Sequence, residues 1–341
     1  MKNKGKYIIG GAAIAGAALF LRRKMEVHEM RKKYNFLDEI PDKDLSKLPV
    51  FLCNPIGFRL FNVFMTGGKG KFVKGVKRTT VQIQTFDNEI IDSYLYEPEG
   101  TENETLPCLL YLHGGGFYVD YLPTYHKIAA NYAKYANCRV ISVRYRTLTK
   151  VKFETALKDC YKGFLWVYEN AGRLNIDKEH IAVGGDSAGG TFAAALAHYT
   201  RDQKGPKFCY QMLIYPATDL SMSSESMKRF TDTPGWNAEC DRRIFKYIKP
   251  QLNAELRPYL SLVEQTNFED LCNAYVEVEE YDCLHDEGEL YASILEEHGY
   301  DVYFNDMKRT FHAYDQNQEL EVTKKTMKLR CELLRKAFET E

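Results

Sequence analysis

The residue types that could do chemistry are densest in Gly185-Asp186-Ser187-Ala188-Gly189-Gly190, between the apolar run Ile181-Ala182-Val183-Gly184 and the alanine-rich stretch Thr191–Ala197. Gly-x-Ser-x-Gly in that setting has the order of a nucleophile elbow, a strained strand-to-helix turn that exposes the serine hydroxyl. Gly185 and Gly189 leave room for such a turn. The helix that would start after Ser187 aims its positive end at the serine oxygen. The bland alternative is a glycine-rich turn whose serine only caps the helix.

A serine hydroxyl needs a base to become a nucleophile, and the base needs an orienting acid. Of the eight histidines, His312 in Arg309-Thr310-Phe311-His312-Ala313 is the base candidate, because it lies just past an expected strand. His113 heads Gly114-Gly115-Gly116 and reads as loop architecture, and His198 falls mid-helix. His28, His126, His180 and His298 read as surface positions, and His285 leads no motif. The acid candidates lie in Val278-Glu279-Glu280-Tyr281-Asp282-Cys283-Leu284-His285-Asp286-Glu287-Gly288. Asp282, directly after a strand, comes first, with Asp286 and Glu280 behind it. A solvated loop capping the next helix is the plain reading of the same cluster. Gly114 and Gly115, with the N–H of Ala188, are the expected oxyanion donors, since glycine lets the main chain approach a tetrahedral intermediate closely.

The elements that must position these residues alternate. Strands are expected over Leu109–Leu112, Val140–Val143, Ile181–Gly184, Tyr210–Tyr215, Ala274–Val278 and Val302–Phe304, after a hairpin over Thr79–Tyr96. Helices are expected over Tyr125–Ala136, Phe153–Ala171, Glu289–His298 and Leu320–Phe338. This rhythm predicts an α/β fold, a mostly parallel central sheet with helices on both faces and ligands at the carboxyl ends of the strands. Between Asp219 and Leu252 the alternation lapses, which predicts a helical cap insertion over the site with a helix at Asp241–Tyr247. The resulting division is a leader at 1–24, a helical lead-in at 25–78 and a catalytic domain at 79–341 with its cap near 219–252.

The 341 residues carry a net charge of −1, which gives no ground for a nucleic-acid partner. Nine cysteines without a C-x-x-C pair suit reduced thiols in a reducing compartment. Gly67-Gly68-Lys69-Gly70-Lys71-Phe72-Val73-Lys74-Gly75 lacks phosphate-loop spacing and reads as a solvated basic loop. Tyr7–Leu21 is uncharged, with Lys2, Lys4 and Lys6 before it and Arg22, Arg23 and Lys24 behind. As a helix it would be about 22 Å long, short of the roughly 30 Å hydrocarbon core. It is expected to act as an uncleaved membrane anchor, with a leader that packs on the protein as the alternative. The basic residues behind it place the catalytic body in the cytoplasm.

His113-Gly114-Gly115-Gly116-Phe117, Gly185-Asp186-Ser187-Ala188-Gly189-Gly190, Tyr281-Asp282-Cys283-Leu284-His285-Asp286-Glu287-Gly288 and Phe311-His312 together resemble the hormone-sensitive-lipase-like family of α/β-hydrolase esterases and lipases, over roughly residues 80 to 340. The resemblance implies Ser187 as nucleophile, Asp282 as acid, His312 as base, an oxyanion hole at Gly114, Gly115 and Ala188, and neither metal nor organic cofactor. It also implies hydrolysis of small-molecule carboxylic esters of short to medium acyl chains under a helical cap. A ligand-binding protein without catalysis, or an amidase or peptidase using the same three residues, are the competing expectations. The chain departs from the family at Cys283 and Ala313, where proline and glycine are usual, and at Tyr145-Arg146-Thr147-Leu148-Thr149-Lys150.

Overall fold

Side chains on the central strands alternate between two apolar layers. Leu110, Leu112, Ile141, Val143, Ile181 and Val183 belong to one, and Leu109, Tyr111, Val140 and Ala182 to the other. Strands buried on both faces need helices on both faces, and that requirement shapes the molecule.

The computed structural model describes residues 23–66, 70 and 72–340. Its strands are β1 (Val76–Gln84), β2 (Ile90–Pro98), β3 (Leu106–Leu112), β4 (Arg139–Val143), β5 (Ile176–Asp186), β6 (Gln211–Ile214), β7 (Ala274–Tyr281) and β8 (Val302–Phe311). They form one sheet in the order β1-β2-β4-β3-β5-β6-β7-β8. β1 and β2 pair antiparallel, β2 joins β4 antiparallel, and β4 through β8 run parallel. The helices are α1 (23–33), α2 (Pro55–Met65), α3 (Pro123–Ala136), α4 (Phe153–Glu169), α5 (Ala188–Asp202), α6 (Glu225–Arg229), α7 (Ala238–Ile248), α8 (His285–Glu297) and α9 (Glu321–Glu339). The first apolar layer is filled by α4, α5 and α8, the second by α3 and α9.

Two differences from the sequence reading have physical causes. The strand expected to stop at Phe304 continues to Phe311, because β8 is an edge strand whose pairing with β7 tolerates the polar run Asn305-Asp306. His126, expected at the surface, is buried against Tyr94, Tyr96 and Tyr121. Its Nδ1 lies 2.6 Å from the Tyr96 hydroxyl, and burial lowers its pKa to about 4. His198, on α5, is also buried. The anchor expected at residues 7–21 lies outside the described residues, and among those described no helix is long and apolar enough to cross a membrane.

Beneath the carboxyl end of the sheet, Arg330 of α9 is almost completely buried. Its Nε donates to Glu277 at 3.1 Å, and its second guanidinium nitrogen donates to Asp315 at 2.8 Å. Burial disfavours the guanidinium charge, but Glu277 and Asp315 outweigh that and hold its pKa well above normal. Asp315 also accepts from the Tyr215 hydroxyl at 2.6 Å. Arg330→Met would leave two buried carboxylates without their cation and should cost about 3–5 kcal/mol. Urea unfolding of the variant checks this; a loss below 1 kcal/mol would mean the cluster is inert.

Candidate active site

At the end of β5 the chain turns sharply into α5. Ser187 occupies the turn at φ +55° and ψ −125°, a conformation that side-chain-bearing residues rarely adopt. It is held there on two sides. The Ser187 N–H donates to the Ile214 carbonyl at 2.8 Å. The start of α5 also presses against β3 so closely that a Cβ on Gly189 would sit 2.1 Å from the Leu112 carbonyl oxygen.

His312 follows β8, and Asp282 follows β7. The His312 Nε2 lies 2.9 Å from Ser187 Oγ, and its Nδ1 lies 2.6 Å from Asp282 Oδ2. The second Asp282 oxygen accepts from the Leu284 N–H at 3.0 Å. All three side chains are buried or nearly so. The two other acid candidates are engaged elsewhere. Asp286 accepts from the Ser226 N–H of α6 at 2.8 Å, and Glu280 accepts from the Arg309 N–H at 2.8 Å. Burial opposes a charge on His312, yet the adjoining Asp282 carboxylate prevails and raises its pKa above the usual histidine value.

The glycine loop departs from expectation. The Gly114 N–H donates to Asp186 at 3.3 Å, so the amide expected at the oxyanion position is turned away. Asp186 is buried, accepts from the Tyr111 hydroxyl at 2.5 Å, and is pushed by that burial up to about 6. Gly115 and Gly116 carry the chain onward at φ +119° and +57°. Among the described residues, the N–H groups of Gly115, Gly116 and Ala188 meet no protein acceptor. His113 supports this loop. Its ring stacks on Tyr145 at 4.4 Å, its Nδ1–H donates to Gly114 O at 2.8 Å, and burial lowers its pKa to about 4. The unusual run after β4 serves the same loop, with the Leu148 N–H donating to Phe117 O at 2.9 Å.

The segment between β6 and β7 adds two residues that no motif signalled. Trp236 lies against the glycine loop, where a Cβ on Gly116 would come within 2.7 Å of its indole. Trp236 Nε1 donates to Asp241 Oδ1 at 2.9 Å. Asp241 is fully buried, burial raises its pKa to about 7, and it lies within electrostatic reach of His312 and Asp282. The residues before β1 hold this segment in place. Asp232 accepts from Lys33 at 2.7 Å and from Tyr34 at 2.6 Å, and the Gly235 N–H donates to Ser46 O at 3.0 Å.

Gly189→Ala should destabilise the fold by about 1–3 kcal/mol, because its methyl meets rigid backbone; thermal melting measures it, and an unchanged midpoint would contradict the packing. For pH, only neutral His312 can accept a proton, so kcat/KM should fall as pH drops through a value above 6.5. Asp241 stabilises the charged imidazole. Asp241→Asn should therefore move this acid limb to lower pH, and a limb that stays in place or moves up would refute the coupling.

Comparison with known proteins gives the same architecture. The sequence model of the alpha/beta hydrolase fold matches residues 109–316. A putative alpha/beta hydrolase of Acanthamoeba polyphaga mimivirus is 33% identical over 224 residues, covering 64% of this chain and 64% of that protein, just under two thirds of its length. Esterase LipI of Mycobacterium tuberculosis is 31% identical over 220 residues, covering 64% of this chain and 69% of its own. The solved structure of a hyperthermophilic esterase from the archaeon Pyrobaculum calidifontis superposes with a TM-score of 0.70 at 29% identity, covering 76% of this chain and 85% of that one. Family match, relatives and sheet topology agree: the chain belongs to the α/β-hydrolase-fold family, in its hormone-sensitive-lipase-like branch.

Proposed function

We propose that this protein is a serine carboxylic-ester hydrolase acting through an acyl-enzyme on esters of short to medium acyl chains. The observation that carries the reading is the continuous hydrogen-bonded chain from Ser187 through His312 to Asp282. In this reading Ser187 Oγ attacks the ester carbonyl while His312 Nε2 takes its proton. Asp282 holds the ring and stabilises the imidazolium. The oxyanion is received by the N–H groups of Gly115, Gly116 and Ala188, with the positive end of α5 behind them. Collapse of the intermediate expels the alcohol, protonated by His312. Water activated by the same histidine then attacks the acyl-serine and releases the acid.

The short to medium acyl range rests on the resemblance to the hormone-sensitive-lipase-like esterases, and the segment at 219–252, in this reading the cap, brings Trp236 against the glycine loop.

Hydrolysis of nitrophenyl esters from acetyl to dodecanoyl tests both parts. Wild-type protein should prefer the shorter half of the series, and Ser187→Ala should lose at least about 10³-fold in kcat. Turnover surviving that substitution would sink the nucleophile assignment. A dodecanoyl optimum would sink the chain-length assignment, and an inactive but folded wild type would turn the search to amides.

A further inference from the structure

Helix α2 has one face docked and one face bare. On the docked face, Phe58 stacks on Tyr118 with ring centroids 5.5 Å apart. The Asn62 side chain donates to Tyr118 O at 2.9 Å and accepts from the Asp120 N–H at 3.0 Å. These partners lie directly after the triple glycine, so α2 braces the loop beside Ser187. On the other face, Ile56, Leu60, Val63 and Phe64 are 74%, 57%, 72% and 81% exposed. Their spacing of i, i+4, i+7 and i+8 puts them on one stripe of the helix. Phe51, in the turn before, is exposed as well. A contiguous apolar stripe of this kind on a soluble body marks an interaction surface.

Charge decides what would cover it. Helix α2 and the turn before it, Val50–Met65, carry Arg59 and no aspartate or glutamate, in a chain whose overall charge is −1. A second copy of this helix would bring the same sign of charge. The first 22 residues, outside the described structure, have Lys2, Lys4, Lys6 and Arg22 and no acid, so they too would repel it. An anionic lipid surface complements both regions, each basic residue near it contributing about 1 kcal/mol. The apolar run at 7–21, too short to span on its own, gains from a second point of attachment, since lasting membrane association generally takes two signals.

We propose that α2 lies in the interface of an anionic lipid bilayer, with Ile56, Leu60, Val63 and Phe64 among the acyl chains. The loop at Phe117–Asp120 is thereby held at the membrane surface.

The test uses the full chain with vesicles of phosphatidylcholine alone and of phosphatidylcholine with phosphatidylglycerol. Wild-type protein should co-sediment with the anionic vesicles, less so in 0.5 M salt (a Debye length of about 4 Å). The Leu60→Asp/Phe64→Asp double variant, its fold checked by circular dichroism, should lose at least about tenfold in partitioning. In a Phe64→Trp variant, emission should shift to the blue when anionic vesicles are added, a readout that stands even if the double variant fails to fold. Any of four outcomes overturns the proposal. These are no vesicle binding by the wild type, unchanged partitioning of the folded double variant, or Phe64→Trp emission indifferent to vesicles. The fourth is a wild-type dimer that the double variant splits without altering partitioning.

Discussion

The close backbone contact between the end of β3 and the start of α5 is the constraint on which the site depends. With Gly189 against the Leu112 carbonyl, α5 begins where the residue joining it to β5 must turn at positive φ, and Ser187 does so at +55°. The strain is sustained by fixed partners on either side, the β6 carbonyl that receives the Ser187 N–H and the β3 backbone behind the helix. A looser approach would relax the turn and withdraw the hydroxyl from His312.

Electrostatics around this turn is organised by burial. Carboxylates close to the reacting groups differ in environment and therefore in behaviour. Asp282 spends one oxygen on His312 and the other on a backbone N–H, so its charge is used locally. Asp186 and Asp241 are pushed toward the neutral form by burial. Farther down, Arg330 compensates Glu277 and Asp315, and Asp315 in turn fixes Tyr215, whose ring packs on His312 at 4.7 Å. His312 is thus held by its hydrogen bond to Asp282 on one side and by an aromatic ring anchored through Asp315 to a buried cation on the other.

The residues before β1 link this core to its surroundings. Lys33, Tyr34 and Ser46 hold the 232–235 segment, while α2 braces the loop after the glycines. Residues 33–62 therefore contact both the 232–235 segment and the loop after the glycines.

Much of this was legible from the chain alone. The α/β alternation follows from local periodicity, and the elbow follows from glycines flanking one serine, so both survive without tertiary information. Chain order and strand ends were enough to single out His312 and to rank Asp282 above Asp286 and Glu280. Which carboxylate touches the imidazole, however, is a contact across 30 residues, and only folding engages Asp286 with Ser226 and Glu280 with Arg309. The same holds for Gly114, whose amide is claimed by Asp186 from 72 residues away. It holds again for His126, buried by tyrosines that its own helix pattern does not reveal. Sequence determined which residue types stand at the strand ends, because periodicity and backbone freedom are local properties. Tertiary structure decided which donor meets which acceptor, because hydrogen bonding and desolvation depend on neighbours that the chain brings together only when it packs.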